Sequence, residues 1–249
     1  MTPDAFDWLK RPIAHRGLHD EAKGIVENSA SAVEAAIAKG YAIEVDLQCA
    51  ARATPIVFHD RTLDRLTTER GAVADRDAAA LCAIPLRSSE DRILSLDGLL
   101  GIVDGRVPLV IEVKSTWSDD HTYESNIAAT LAPYKGHVAV MSFDPDCVAA
   151  FRDVAPSLPR GLIGECFEDK HHWSDLSAPR RFAMRHLLTA AIARPNFIAY
   201  DIRALPALAP GIARDVFRLP LLTWTVRNEA EKAHAHLFAD AMIFEGILL

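Results

Sequence analysis

The sequence predicts an α/β fold, a parallel eight-stranded (β/α)8 TIM barrel, and three observations carry that expectation. Short apolar runs alternate with helical stretches along the whole chain, the pattern of a parallel sheet joined by crossover helices. Eight such runs can be placed, the number that closes a barrel. The histidines and charges attached to these runs sit at their C-terminal ends, where barrels of this kind carry their chemistry. A length of 249 residues is common for one such barrel, so positions 1–249 are read as a single domain.

The first strand is Pro12–His15. A helix follows over Ala30–Lys39, with Ser31 and Glu34 at capping-box spacing and Gly40 placed to end it. The second strand is Ala42–Gln48, and Pro55–His59 follows too closely for a crossover helix, so it is read as a return arm. The polar stretch Arg61–Ser95 is expected to be irregular, with short helical pieces only. Helix Leu96–Val103 leads to strand Pro108–Lys114, and helix Tyr123–Ala132 leads to strand Val138–Ser142. Pro145 suits the first turn of the next helix. Strand Gly161–Gly164, helix Pro179–Ala191, strand Phe197–Asp201 and helix Pro206–Val216 continue the alternation. Strand Leu221–Val226, helix Glu229–Phe238 and strand Ala241–Phe244 complete it, leaving the eighth outer helix short or missing.

Composition narrows the function. Half of the residues are apolar, as in a globular chain, and the formal charge is −7 with no basic run. Duplex binding usually needs a basic face, so no nucleic-acid partner is expected. No stretch approaches a membrane span and MTPDAFDWLKRP lacks a signal-peptide core, which reads as a cytoplasmic protein. Cys49, Cys82, Cys147 and Cys166 are far apart with no CxxC spacing, so they are read as free thiols. Oligomeric state is left open.

The stretch from Ile13 to Asp60 holds most of the chemistry. His15 and His59 each end an apolar run, and two histidines can share acid and base duty near neutral pH. Glu44 and Asp46 lie two apart in one strand and so project to one side; Glu112 and Lys114 repeat that spacing. Buried strands of Val, Leu and Ile do not carry such charges without partners. Glu44, Asp46 and Glu112 are therefore expected to converge on one divalent cation, and an all-carboxylate set suits Mg²⁺ or Ca²⁺ better than Zn²⁺. Arg16 and Lys114 are candidate phosphate-binding cations. Trp224 is a candidate wall of the substrate pocket, or ordinary barrel core. Bland readings stand beside these: Glu112 and Lys114 could simply pair with each other, and Glu27 and Asn28 could be a polar lead-in to the first helix. His171 and His172 read as an exposed pair, and Arg203 as a residue that could reach the pocket.

These positions resemble the glycerophosphodiester phosphodiesterase family. The matching pieces are HRG at 15–17, ENS at 27–29, EVDLQ at 44–48, PIVFHDRTLDRLT at 55–67, LVIEVK at 109–114, MSFDPDCVAAFRDVAP at 141–156 and LLTWTV at 221–226. The resemblance implies a barrel hydrolase that cleaves glycerophosphodiesters to sn-glycerol 3-phosphate and an alcohol with a divalent cation. It implies His15 and His59 as the acid–base pair, Glu44, Asp46 and Glu112 as metal ligands, and Arg16 and Lys114 at the phosphate. The chain departs from the family pattern at CAARAT (49–54), ILSLDG (93–98), WTVRN (224–228) and IFEG (243–246). Arg227 stands where Asn is usual, and Glu245 near the usual Asp. None of these departures is expected to touch the histidine or metal set.

Two other functions compete. A lysophospholipase D or sphingomyelinase D-like lipid phosphodiesterase shares the design but needs an apolar lip, whereas Arg61–Ser95 is polar and charged. A non-catalytic barrel that only binds a glycerophosphodiester would not need a paired acid and base.

Overall fold

The computed structural model describes residues 3–169 and 173–249, so the expected pair His171 and His172 lies outside the described residues. The elements run β1 (Ile13–Ala14), α1 (Ala30–Ala38), β2 (Ala42–Ala50), β3 (Thr54–Val57), α2 (Ala78–Cys82), β4 (Leu94–Ser95), α3 (Leu96–Val103) and β5 (Leu109–Val113). There follow α4 (Thr122–Leu131), β6 (Val138–Ser142), α5 (Pro145–Val154), β7 (Arg160–Gly164), α6 (Ala178–Arg185), α7 (Ala190–Ala193), β8 (Phe197–Asp201), α8 (Leu208–Asp215), β9 (Leu221–Val226), α9 (Glu229–Phe238) and β10 (Ala241–Phe244).

Eight strands close into a parallel barrel in the order β1, β2, β5, β6, β7, β8, β9, β10, because β1 pairs with both neighbours. Ile13 stands in register with Ala42 on one side and Ile243 on the other. The return arm β3 pairs antiparallel with β2, and β4 pairs antiparallel with β3, forming a flap on the barrel's upper rim.

The strand alternation sorts residues between two apolar layers. Ile13, Ala42, Val110, Ala139, Ile163, Phe197, Ala199, Leu222 and Ile243 fill the barrel interior, with Leu9 of the N-terminal 3-10 helix packed against them. Ile43, Val45, Leu47, Leu109, Ile111 and Val140 face outward onto the helices. Gly161 is required here, since a β-carbon at this position would lie 2.2 Å from the Phe197 ring. Fully burying one such aliphatic side chain contributes about 1.5–3 kcal/mol.

Three expectations need correction. The cap of α1 is Ser29, not Ser31: Ser29 is extended and its hydroxyl accepts the Ala32 N–H, whereas Ser31 is already within the first turn. Glu34 pairs with Arg106 instead of closing a capping box. The single helix expected over Pro179–Ala191 is two, α6 and α7, because Leu187 takes a left-handed φ of 53° and buries its side chain in the cluster with Leu162, Tyr200 and Ala193. The helix expected from Pro206 starts at Leu208, after a short 3-10 turn at Ile202–Ala204.

The stretch 61–95 is less polar than its composition suggests. Leu63, Leu66, Val73, Leu81, Ile84, Leu86 and Ile93 pack with Ile56 and Phe58 into a satellite core beneath its charged surface. No helix follows β10 among the described residues; the tail instead folds against Tyr41, whose hydroxyl donates to the Leu249 carbonyl at 2.5 Å. Among the described residues no helix is long and apolar enough to cross a membrane. All four cysteines are free.

Candidate active site

The interior parity that buries Ala42 and Val110 also turns Glu44, Asp46 and Glu112 inward at the upper end of the barrel. Asp46 and Glu112 stand opposite each other in the β2–β5 register. One carboxylate oxygen from each of Glu44, Asp46 and Glu112 lies within 4.8 Å of the others. Glu44 and Asp46 are fully buried. Burial pushes the Glu44 pKa well above the usual carboxylate value, and the charges of Asp46 and Glu112 push it further. Burial also works against Asp46, but Lys114 and Arg16 overcome it and hold that carboxyl far below its ordinary value. Glu44 Oε1 is buried with no hydrogen-bond partner among the described residues. An all-oxygen donor set with a vacant buried lone pair fits a hard divalent cation such as Mg²⁺ or Ca²⁺.

His15, Arg16 and Gly17 form a turn that requires glycine at its third position. Arg16 and Gly17 have φ of 56° and 78°, and a β-carbon on Gly17 would lie 2.8 Å from Ala32. The turn aims the Arg16 N–H at Glu44 Oε2, 2.9 Å away. The Arg16 guanidinium lies between Glu27 Oε1 (2.9 Å) and Asp46 Oδ2 (3.1 Å). Asn28, also left-handed, donates to Asp46 Oδ2 at 2.9 Å and accepts the Asp46 N–H at 3.1 Å. Glu27 and Asn28 are thus part of the site, Asn28 by fixing Asp46 and Glu27 by holding both Arg16 and Arg65. Lys114 reaches across from β5, with Nζ 2.8 Å from Asp46 Oδ1 and bonded also to Glu112. The bland pairing of Lys114 with Glu112 and the convergence of the carboxylates therefore coexist.

Each histidine is oriented by a carboxylate. His59 Nδ1 bonds Asp60 Oδ1 at 2.7 Å, and Asp60 is clamped by Arg65 at 2.7 Å. His15 Nδ1 bonds Glu245 Oε2 at 2.5 Å. With Nδ1–H given to a carboxylate, Nε2 is the nitrogen each ring leaves for another partner. His15 Nε2 lies 3.9 Å from Glu44. Burial lowers the His15 pKa below the ordinary imidazole value, partly offset by the Glu245 hydrogen bond. Burial would raise Glu245, but the hydrogen bond from His15 and the His19 imidazole 3.7 Å away hold it well below the usual range.

Glu245 corrects one expectation: the C-terminal departures do touch the histidine set. Arg227 Nε donates to Glu245 Oε1 at 2.6 Å, so the two unusual residues form a linked pair behind His15. The longer Glu arm and the Arg are spatially coupled, which adjacent strand ends make possible but sequence separation hides.

His15, Arg16, Glu44, His59, Glu112 and Lys114 all line one cavity of about 650 Å³ at the barrel mouth. Asp46 lies beneath it, sealed by the Arg16 and Lys114 contacts. Trp224 lines the same cavity, with a buried indole N–H that has no partner among the described residues. Arg203 reaches the cavity too, but is tied to Asp201 at 2.6 Å.

The buried charge predicts its own test. Because the Glu44 pKa is raised in the folded chain, its ionised form opposes folding above the ordinary carboxylate pKa. Glu44→Gln should therefore raise the melting temperature of the metal-free protein by about 2–4 °C at pH 8, the equivalent of about 1 kcal/mol in a chain of this size. The gain should shrink toward pH 4, where wild-type Glu44 is protonated. A lower melting temperature at pH 8 would mean Glu44 is not strained by its neighbours.

Comparison with known proteins agrees with this geometry. The Glycerophosphoryl diester phosphodiesterase family matches residues 15–248. A glycerophosphodiester phosphodiesterase of Caldanaerobacter subterraneus subsp. tengcongensis is 27% identical over 229 residues, covering 88% of this chain and 86% of its own. An Oleispira antarctica phosphodiesterase, whose structure was determined with the product sn-glycerol-3-phosphate, superposes with a TM-score of 0.76 at 16% identity, over 96% of this chain and 94% of the other. A glycerophosphodiester phosphodiesterase from Thermotoga maritima gives a TM-score of 0.68 at 18% identity, over 93% and 92%. At these identities the two structures speak for the shared barrel.

Proposed function

This chain belongs to the glycerophosphoryl diester phosphodiesterase family and is a phosphoric diester hydrolase; from that premise we propose that its single domain, 1–249, hydrolyses glycerophosphodiesters to sn-glycerol 3-phosphate and an alcohol. The observation that carries this reading is that two carboxylate-oriented histidines share one cavity with Glu44 and Glu112, two members of a three-carboxylate cluster whose third, Asp46, lies just beneath. A barrel that merely bound the diester would have no use for two histidines each backed by an acidic residue.

Glu44, Asp46 and Glu112 would hold one Mg²⁺ or Ca²⁺, which supplies Lewis-acid charge neutralisation at the phosphate. Lys114, beside Asp46 and Glu112, and Arg16, beside Asp46, place cationic groups where non-bridging phosphate oxygens would gather. His15 and His59 divide the proton work. Burial lowers the His15 pKa and so favours the neutral ring, which suits it to take the proton of the attacking oxygen. His59, more exposed and fixed by Asp60, delivers a proton to the departing alcohol. Trp224 offers the substrate an apolar face and one N–H donor. A lipid phosphodiesterase is the less supported reading, since the rim segment turns its apolar residues inward to the satellite core.

The test is release of glycerol 3-phosphate from a panel of glycerophosphodiesters; no release from any of them would defeat the proposal. Lys114 gives a sharper one. If it meets charge that develops at the phosphate during reaction, Lys114→Met should lower kcat by about 10²–10³, the usual worth of one such donor, and not merely raise KM. Divalent-cation affinity should hold or improve, because a positive charge leaves Asp46 and Glu112. Wild-type kinetics in Lys114→Met would reduce that lysine to a partner of Glu112.

A further inference from the structure

The part of the cavity lined from the ends of β6 to β9 has a different chemistry. Its wall is aromatic: Phe143, Phe167, Trp173 and Trp224 all line it. Phe143 joins the four rings, with centroids 5.6 Å from Trp224, 5.2 Å from Trp173 and 6.2 Å from Phe167. Phe167 and Trp173 are 4.9 Å apart. Phe143 and Trp224 pack on the barrel interior, while Phe167 and Trp173 form a separate small cluster with Leu176 and Met184. The rings thus run from the barrel mouth outward.

This wall is also acidic. Glu165, Glu168, Asp169 and Asp201 line the cavity. Arg203 offsets Asp201, and Arg185 offsets Glu168. Glu165 is different: it accepts the Trp173 indole N–H and, among the described residues, has no cation at ion-pair distance. It is half-buried beside the rings, and burial with the charge of Asp201 raises its pKa against the Trp173 hydrogen bond and the charge of Arg203. A carboxylate kept in such a place without a cation would be relieved by one arriving with the ligand.

We propose that this aromatic–carboxylate wall is the leaving-alcohol subsite and selects a cationic alcohol, a quaternary ammonium of the choline type, with Phe143, Phe167 and Trp173 around the cation and Glu165 as its counter-ion. The proposal rests on the hydrolase reading above and adds the substrate's second half. Aromatic faces attract a desolvated onium ion through their quadrupoles, and a quaternary ammonium has no N–H for which to lose water. The arrangement also separates the charges of a zwitterionic diester, its phosphate toward Lys114 and Arg16 and its cation toward Glu165.

The experiment compares two diesters of equal shape, glycerophosphocholine and its neutral carbon isostere, glycerophospho-3,3-dimethylbutanol. Wild-type kcat/KM should favour the choline diester by about tenfold or more, as expected of a desolvated cation–π site. Glu165→Gln should cut that ratio at least threefold, and Trp173→Leu should bring it close to one. Glu165→Gln changes no shape, so it stands as the test should Trp173→Leu fail to fold. The same two diesters are titrated calorimetrically into His59→Ala, which should hold them without rapid cleavage. Cleavage of both diesters at equal efficiency would overturn the subsite and leave the hydrolase reading standing. Tighter binding of the choline diester to His59→Ala, with no cleavage by wild type, would support the subsite while defeating the hydrolase reading. A ratio unchanged in Glu165→Gln would also overturn the proposal.

Discussion

Glu44→Ala, Asp46→Ala and Glu112→Ala should each abolish divalent-cation binding and lower kcat/KM on glycerophosphodiesters by on the order of 10³ or more. A bound cation in such a site contributes several kcal/mol of charge stabilisation, and each ~1.4 kcal/mol is tenfold in rate. The three should part company in stability. Among the described residues Glu44 accepts only the Arg16 backbone N–H, so its removal orphans little and relieves repulsion. Asp46 anchors Arg16, Lys114 and Asn28 together, and Asp46→Ala leaves Arg16 with Glu27 alone, Lys114 with Glu112 alone and the Asn28 amide without its acceptor. Breaking buried pairs in this way costs about 3–5 kcal/mol, so that variant alone should melt markedly lower. Calorimetric titration with Mg²⁺ and Ca²⁺, run beside thermal melts, reads both effects. Full cation affinity in Glu112→Ala would remove that residue from the centre.

His15→Ala and His59→Ala should each cut kcat by about 10²–10⁴ with little change in cation affinity. Because both rings act on one transition state, the double variant should lose less than the product of the single losses. Glu245→Gln probes the orientation of His15 separately. The amide can still accept the Nδ1–H but carries no charge to favour the imidazolium, so the acid limb of the kcat/KM profile should move to lower pH. Multiplicative losses, or a mild effect at either histidine, would count against a shared acid–base step.

The barrel was legible because its signal is local and repeated. Four of its strands, Val138–Ser142, Phe197–Asp201, Leu221–Val226 and Ala241–Phe244, have the bounds their apolar runs indicate. Helix ends were harder, since Ser29 and Ser31 are equally plausible caps until the backbone declares which is extended. Carboxylate convergence was also readable, because Glu44 and Asp46 share strand parity and Glu112 repeats it on a parallel strand. What stayed hidden depends on closure. Glu245 meets His15 only because β10 pairs with β1 across 230 positions, and nothing in IFEG advertises that contact. Glu27 and Asn28 were ambiguous for a related reason: a polar pair before a helix looks alike whether it caps, faces solvent or holds Asp46. The aromatic wall was invisible, as Phe143 follows β6 while Phe167 and Trp173 come from the loop after β7.

The most direct measurement is glycerol 3-phosphate release from a glycerophosphodiester by protein treated with EDTA, before and after Mg²⁺ or Ca²⁺ is returned. The centre described here predicts release that disappears with chelation, returns with one equivalent of cation, and fails to return in Glu44→Ala. Undiminished release from fully chelated protein would contradict it.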